Sequence, residues 1–229
     1  MLNISVIIPV NTSKWNKSAE DLLKETASLD TRVHVVNINK GPQSIECIYD
    51  EGLAISHVIN LAEKLESKTD GILVYCFSDP GLQALKERLN IPVVGIGEAS
   101  YITSLAIGER IGVISPIQCS MSKDIQYSRM LGLNSRIVDF MALNIPVLSL
   151  TPEKTKEKAC FVVDAMIKRS NVDTIILGCG SIFGIDKIIE EKYKTPVIVP
   201  GKAGLTLLEG LIRMRIMQSK NRYTISNDE

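Results

Sequence analysis

Two stretches of the chain share one pattern: Asp70-Gly-Ile-Leu-Val-Tyr-Cys76 and Asp173-Thr-Ile-Ile-Leu-Gly-Cys179. In each, an aspartate stands six residues before a cysteine, and the residues between them are mostly apolar. Short runs rich in Ile, Val and Leu are typical of buried strands in parallel sheets. Each stretch therefore predicts a buried strand with a cysteine at its C-terminal end.

The same alternation of short apolar runs and longer amphipathic segments extends along the whole chain. The apolar runs predict strands at residues 4–8, 33–38, 71–75, 93–95, 111–115, 137–140, 174–178 and 197–199. The amphipathic segments predict helices at residues 17–29, 50–66, 80–89, 99–107, 121–131, 153–169, 182–191 and 203–217. Strands that alternate with helices indicate an α/β fold, with parallel-type sheets covered by helices.

The repeat is longer than the two opening stretches. Pro9 closes an apolar run 67 residues before Cys76, and Pro116 closes another 63 residues before Cys179. Each cysteine is also followed by a predicted strand that begins with proline. The shared order of these features predicts two pseudo-symmetric α/β halves. Ligands of open α/β sheets bind at the C-terminal ends of the strands, so we expect the active site in the cleft between the halves.

Charge and composition exclude several classes of partner. Lys and Arg number 26, as do Asp and Glu, so the formal net charge is zero. This balance argues against nucleic acid or a charged membrane surface as a partner. No apolar run reaches the roughly 20 residues that a membrane span requires. Residues 1–10 have no basic segment and no cleavage site of small residues, so we expect a cytoplasmic protein.

Two of the five cysteines stand apart, because Cys76 and Cys179 each follow a strand and precede a predicted helix. Ser78 or Asp79 is the expected N-cap of one helix, and Ser181 is the expected N-cap of the other. The positive end of a helix dipole favours thiolate over thiol, and free N–H groups there can hold an oxyanion. A thiolate on one face of a carbon can remove a proton, and a thiol on the opposite face can return one.

The remaining candidates carry weaker signals. Cys47, Cys119 and Cys160 do not follow strands, and we expect them to be inert reduced thiols. His57, on a predicted helix face, leaves a Cys-His amide hydrolase open, although no spacing places it beside a cysteine. No cluster of residues has the spacing of a metal site.

Four further segments follow one another along the chain: Gly41-Pro-Gln-Ser-Ile-Glu46, Cys76-Phe-Ser-Asp-Pro-Gly-Leu82, Val94-Gly-Ile-Gly-Glu98 and Leu177-Gly-Cys179. Together they resemble the hydantoin and allantoin racemase branch of the aspartate/glutamate racemase superfamily. Asn11-Thr-Ser13 is similar to the loop that follows the first strand in that family. The resemblance covers nearly the whole chain in the right order.

The resemblance implies two pseudo-symmetric α/β domains with the active site between them, and a C-terminal helix that returns to pack on the first domain. Residues 1–97 with 203–229 would form the first domain, and residues 98–202 the second. It also implies that Cys76 and Cys179 are catalytic in a cofactor-independent isomerase that holds no metal. The expected substrate contacts are Asn11, Ser44, Phe77, Ser78, Ser115, Gly180 and Ser181. The expected substrate is a small-molecule cyclic ureide, a 5-substituted hydantoin or allantoin, racemised at C5, and the expected assembly is a homo-oligomer.

Departures from the family pattern leave alternatives open. Gly180-Ser-Ile-Phe-Gly184, Val199-Pro-Gly-Lys202 and Ser115-Pro-Ile117 replace sequences that are more usual in the family, and all three are expected on cleft loops. A maleate cis-trans isomerase or an amino-acid racemase is an alternative within the superfamily. An aryl malonate decarboxylase would need only one of the two cysteines. A non-catalytic ligand-binding protein of the same fold would need neither.

Overall fold

The structure is a computed structural model, and it describes residues 1–182 and 184–225. The strands are β1 (Leu2–Ile8), β2 (Thr31–Asn37), β3 (Gly71–Val74), β4 (Val93–Gly95), β5 (Ile111–Ser115), β6 (Ile137–Ala142), β7 (Thr174–Leu177) and β8 (Val197–Ile198). The α-helices are α1 (Asn16–Thr26), α2 (Ile48–Leu65), α3 (Leu82–Arg88), α4 (Ile96–Leu105), α5 (Gln118–Met130), α6 (Pro152–Ser170), α7 (Asp186–Tyr193) and α8 (Pro200–Met214). None of these helices is long and apolar enough to cross a bilayer.

The strands form two parallel sheets with the same internal order. The first sheet is ordered β2-β1-β3-β4 and the second β6-β5-β7-β8. β3 and β7 lie inside their sheets, and every residue of both strands is buried. Burial on both faces explains why these strands are continuous apolar runs in the sequence. The α/β fold with two similar halves, predicted from the repeat, is confirmed.

The aspartate of each repeat ties together the starting ends of two strands. The Asp70 carboxylate accepts a hydrogen bond from the backbone N–H of Asn3, at 2.7 Å. The Asp173 carboxylate accepts hydrogen bonds from the backbone N–H groups of Glu109 and Arg110, at 3.0 and 3.1 Å. Asn3 belongs to β1, and Arg110 directly precedes β5. The aspartates therefore recur in the sequence because they hold β3 beside β1 and β7 beside β5.

The last helix packs against the first sheet although it follows the second one along the chain. α8 contacts α1, α4, β3 and β4. Glu209 of α8 also accepts hydrogen bonds from the backbone N–H and the hydroxyl of Ser28, both at 3.1 Å. This packing agrees with the expected return of the C-terminal helix. The domain boundaries stay a prediction, and residues 226–229 of the first predicted domain lie outside the described residues.

The helix after Cys76 begins later than predicted. The Asp79 N–H donates to the Cys76 carbonyl at 2.9 Å, which closes a turn instead of starting a helix. Asp79 has a φ of 48° and Gly81 a φ of 79°, both in the left-handed region. α3 therefore begins at Leu82, and the prediction that Ser78 or Asp79 caps it was wrong.

The helix after Cys179 also begins later than predicted. The Ile182 N–H donates to the Cys179 carbonyl at 3.2 Å, and α7 begins at Asp186. Ser181 belongs to the turn, so the prediction that it caps this helix was wrong. Both cysteines are thus followed by a turn and not by the N-terminus of a helix.

Candidate active site

One pocket lies where the C-terminal ends of the central strands face each other. Cys76 follows β3, Cys179 follows β7, and both line this pocket. The free volume is about 60 Å³. The wall is mostly apolar side chains and backbone. It consists of Ile8, Pro9, Val10, Trp15, Ser44, Ile45, Tyr75, Cys76, Phe77, Ser78, Lys123, Val147, Gly178, Cys179, Gly180 and Ser181.

The expected substrate contacts fall into two groups. Five of them line the pocket beside the two cysteines: Ser44, Phe77, Ser78, Gly180 and Ser181. Asn11 and Ser115 are not among the lining residues. The Asn11 side-chain N–H donates to the Gly41 carbonyl at 2.7 Å. The Ser115 hydroxyl is buried and donates to the Asp124 carboxylate. The structure therefore does not bring Asn11 and Ser115 to the pocket, because each side chain is engaged elsewhere.

The Cys76 thiol is partly exposed and has two neighbours that favour its ionised form. Its Sγ lies 3.5 Å from the hydroxyl oxygen of Ser78. Burial raises the pKa of the Cys76 thiol, while the Lys123 ammonium and hydrogen bonds from Ser78 act in the opposite direction. A positive charge near a thiol stabilises the thiolate. Lys123 and Ser78 therefore favour loss of the proton from the Cys76 thiol.

The Cys179 thiol has weaker support for its ionised form. The Ser181 N–H donates to Cys179 Sγ, with an N–S distance of 3.4 Å. Burial raises the pKa of Cys179 to about 12, opposed by the Ser181 hydrogen bonds and reinforced by the neighbouring Cys76. Cys179 is therefore a thiol at neutral pH. The expectation that helix dipoles favour the thiolates was wrong, since burial dominates and no helix begins beside either sulfur.

Lys123 is a pocket residue that the sequence analysis missed. It reaches the pocket from α5, and its side chain is only 8% exposed. The distance from Lys123 Nζ to Glu51 Oε2 is 3.6 Å, longer than a tight charge-assisted hydrogen bond of about 2.8 Å. This loosely paired ammonium is available to an anion in the pocket. Lysines on amphipathic helices usually face solvent. The sequence around Lys123 therefore does not indicate that this side chain lines a pocket.

Asp79 fixes the turn that follows the first pocket cysteine. Its buried carboxylate accepts hydrogen bonds from the N–H groups of Gly97 and Glu98, at 3.0 and 2.6 Å, and from the Tyr127 hydroxyl, at 2.7 Å. Burial raises the pKa of Asp79 to about 7 in spite of these three bonds. The packing is close, because a Cβ on Gly97 would lie 2.0 Å from the Phe77 carbonyl oxygen. Asp79 thus joins the pocket turn to α4 and α5.

The other cysteines and the histidines lie outside this site. Cys47, Cys119, Cys160, His34 and His57 are not among the lining residues. A Cys-His pair with His57 is therefore not assembled in the pocket. Within residues 1–182 and 184–225, no group of three or more His, Cys, Asp and Glu side chains is arranged to hold a metal ion.

Sequence comparison identifies relatives over nearly the full length. A family model described as Asp/Glu/Hydantoin racemase matches residues 4–208. The chain is 30% identical over 224 residues to a hydantoin racemase of Pseudomonas sp., covering 96% of this chain and 89% of the relative. It is 27% identical over 227 residues to a hydantoin racemase of Paenarthrobacter aurescens, covering 97% of this chain and 96% of the relative.

The fold comparison agrees with the sequence comparison. The solved structure of an allantoin racemase from Pseudomonas fluorescens matches with a TM-score of 0.94 at 24% identity. The match covers 100% of this chain and 99% of that one. The chain therefore belongs to the Asp/Glu/hydantoin racemase family and is an isomerase of the racemase type.

Proposed function

We propose that this protein racemises 5-substituted hydantoins at C5, with Cys76 and Cys179 acting on opposite faces of the ring. The observation that carries the proposal is that both thiols line one pocket, each at the end of the equivalent strand of its sheet. Two acid–base groups that face one carbon from opposite sides are what a racemase without a cofactor requires.

In the proposed reaction, one cysteine as thiolate takes the C5 proton, and the other as thiol gives a proton to the opposite face. C5 of a hydantoin adjoins the C4 carbonyl, so loss of the proton gives an enolate with charge on the C4 oxygen. After one turnover the two sulfurs have exchanged protonation states. The opposite enantiomer reacts in the reverse direction, or proton exchange with solvent restores the first state.

The unequal surroundings of the thiols support Cys76 as the base in the resting enzyme. Lys123 and Ser78 favour the Cys76 thiolate, whereas Cys179, with a pKa of about 12, keeps its proton. Activity requires one thiolate and one thiol. Because burial raises the pKa of Cys76, the thiolate is a minor form at neutral pH, and we expect kcat/KM to rise as the pH is raised above neutrality.

The enolate oxygen needs donors, and the pocket offers them from both halves. The turns that follow Cys76 and Cys179 line the pocket through Phe77, Ser78, Gly180 and Ser181, as does Lys123 of α5. Donors that are fixed in place and shielded from water stabilise developing charge more strongly than solvent does. We therefore assign the N–H groups of these turns and Lys123 to stabilisation of the enolate.

The apolar wall favours a hydantoin with an apolar C5 substituent over allantoin, whose substituent is a polar ureido group. Ile8, Val10, Trp15, Ile45 and Val147 supply much of this wall. A polar substituent would lose its hydrogen bonds to water there without gaining equivalent partners. Two curated relatives are hydantoin racemases.

The proposal is tested by following the optical rotation of each enantiomer of 5-isopropylhydantoin and of allantoin, with reduced protein and a no-enzyme control. We expect both hydantoin enantiomers to decay to zero rotation, and allantoin to decay more slowly. Cys76→Ser and Cys179→Ser should lose racemisation, whereas Cys160→Ser, outside the pocket lining, should match the wild type. Full activity in either pocket variant would refute the two-cysteine mechanism, and faster decay of allantoin would refute the substrate assignment.

A further inference from the structure

Two further cysteines lie close together beside the pocket. Cys47 is the N-cap residue of α2, and Cys119 lies in the first turn of α5. Burial and the nearby Cys47 thiol both raise the pKa of the Cys119 thiol. Cys119 is exposed and Cys47 is partly exposed, so small reagents can reach both. The proposed racemisation uses neither sulfur.

Two contacts join the helix starts that carry these cysteines. The Ser120 hydroxyl, next to Cys119, donates to the Glu46 carbonyl, next to Cys47, at 3.1 Å. One helical turn further along, Lys123 of α5 approaches Glu51 of α2 at 3.6 Å. The two contacts join residues on either side of Cys47 to residues that follow Cys119 in α5. These two contacts place Cys47 and Cys119 near each other.

A link between these sulfurs would cross from one half of the molecule to the other. Cys47 follows Ser44 and Ile45, which line the pocket from the first half, and α5 belongs to the second half. Glu46, which directly precedes Cys47, already accepts a hydrogen bond from the backbone N–H of Val147, another lining residue, at 2.6 Å. A covalent bond here would fix the pocket segment of the first half against the second half.

We propose that Cys47 and Cys119 form a reversible disulfide with small-molecule disulfides, and that this bond slows turnover by holding the pocket segment at residues 44–46 against α5. The disulfide itself is independent of the proposed function, whereas its effect on turnover rests on that function.

The exchange is balanced with oxidised glutathione as the oxidant. The Cys47 thiolate attacks one sulfur of glutathione disulfide, which forms a mixed disulfide and releases one glutathione thiolate. The Cys119 thiolate then attacks the Cys47 sulfur, which forms the protein disulfide and releases the second glutathione. The protein loses two thiol protons and two electrons, and the reagent is reduced to two glutathione thiols. A reducing thiol reverses both steps.

The local structure tolerates the new bond. The Cys47 thiol now donates to the Asp50 carboxylate at 3.2 Å, and disulfide formation removes this donor. Asp50 keeps the backbone N–H groups of Glu46 and Cys47, at 3.0 and 3.1 Å, so the start of α2 stays capped. The two sulfurs must approach to about 2.05 Å, which requires movement of the side chains at the two helix starts.

The test incubates the full-length wild type with oxidised glutathione at about pH 8.5, followed by peptide mapping and racemase assays before and after reduction. We expect a crosslinked peptide that contains Cys47 and Cys119, with a drop in kcat/KM of about fivefold or more that dithiothreitol reverses. Cys47→Ser and Cys119→Ser should keep the reduced activity and resist this loss, and Cys160→Ser should respond like the wild type.

Each other outcome overturns part of the proposal. A protein with no Cys47–Cys119 peptide, or with a Cys76–Cys179 peptide in its place, contradicts the disulfide site. A Cys47–Cys119 peptide with unchanged kcat/KM contradicts the control of turnover but not the site. Absence of racemase activity in the fully reduced wild type contradicts the proposed function, while the peptide map still decides the disulfide.

Discussion

The two halves of the molecule share a scaffold but surround their pocket thiols differently. In both, a central strand is anchored at its start by an aspartate and ends in a cysteine that begins a turn. Cys76 then has Lys123 and the Ser78 hydroxyl near it, whereas Cys179 has Ser181 as its one donor among residues 1–182 and 184–225, and its pKa rises to about 12. The repeat places two sulfurs in equivalent positions, and their neighbours make them unequal acids.

The turns after the cysteines differ in the same way. The Asp79 carboxylate holds the first turn through three donors from α4 and α5, and its backbone is left-handed. The second turn has no aspartate in the corresponding place and is bordered by Gly180, whose carbonyl accepts from the Tyr75 hydroxyl at 3.3 Å. The first turn is thus held by a carboxylate of its own, while the second is held through its backbone carbonyl.

The largest effect is expected from removing one pocket sulfur at a time. Cys76→Ser and Cys179→Ser should each lose racemisation by roughly 1,000-fold or more, because serine is a much weaker acid–base group here. In D2O each variant should still exchange the C5 proton of one enantiomer only, since one face keeps its cysteine. NMR of each enantiomer measures this exchange. Exchange of both enantiomers in one variant would contradict the assignment of opposite faces.

The next effect concerns stability. Asp79→Ala leaves one buried and two part-buried donors without their acceptor, so we expect the free energy of unfolding to fall by about 2–4 kcal/mol. Ser181→Ala, in the second turn, is the matched variant and should cost less than about 1 kcal/mol. Urea unfolding at neutral pH measures both. Equal losses in the two variants would remove the distinction between a fixed turn and one held by backbone contacts.

A smaller effect is expected for the charge beside Cys76. Lys123→Met removes a cation that lowers the pKa of Cys76, so the thiolate fraction near neutral pH falls and kcat/KM should drop about tenfold. The loss should shrink as the pH rises, because the thiol then ionises without help. Glu51→Gln is the control of opposite sign, since the Glu51 carboxylate raises the pKa of Cys76. A pH-independent loss in Lys123→Met would point to a role in the enolate step alone.

The smallest effect is expected at Ser78. Its hydroxyl lies 3.5 Å from Cys76 Sγ, a weak contact for sulfur. Ser78→Ala should therefore lower kcat/KM near neutral pH by only about threefold, which corresponds to a fraction of a kcal/mol. Steady-state kinetics of the variant beside Lys123→Met measures the difference. A larger loss in Ser78→Ala than in Lys123→Met would reverse the relative importance of the two neighbours.

The fold was largely predictable because its main signal is local. The strands β3 and β7 are buried on both faces. A strand buried in this way is a continuous apolar run, which the sequence shows directly. The starts of α3 and α7 were missed, because left-handed residues such as Asp79 follow from contacts with distant N–H groups. The order of strands in each sheet also depends on distant pairing, which the local pattern does not contain.

The site was predictable only in part. The repeat predicted that Cys76 and Cys179 meet in one cleft, and both line the same pocket. Lys123 was missed because a lysine in an amphipathic helix resembles any solvated lysine, and its burial is a tertiary effect. Asn11 follows β1 and Ser115 ends β5, but their side chains bind other partners. The homo-oligomer and the cytoplasmic location stay predictions.

The most direct test of the unequal pair is the pH dependence of alkylation by iodoacetamide, with each cysteine quantified by mass spectrometry. The thiolate is the reacting form, so the rate at each sulfur follows its own ionisation. We predict that Cys76 is modified at a lower pH than Cys179, whose rate should still be rising near the limit of protein stability at alkaline pH. Superimposable profiles, or earlier modification of Cys179, would contradict the assignment of Cys76 as the resting base.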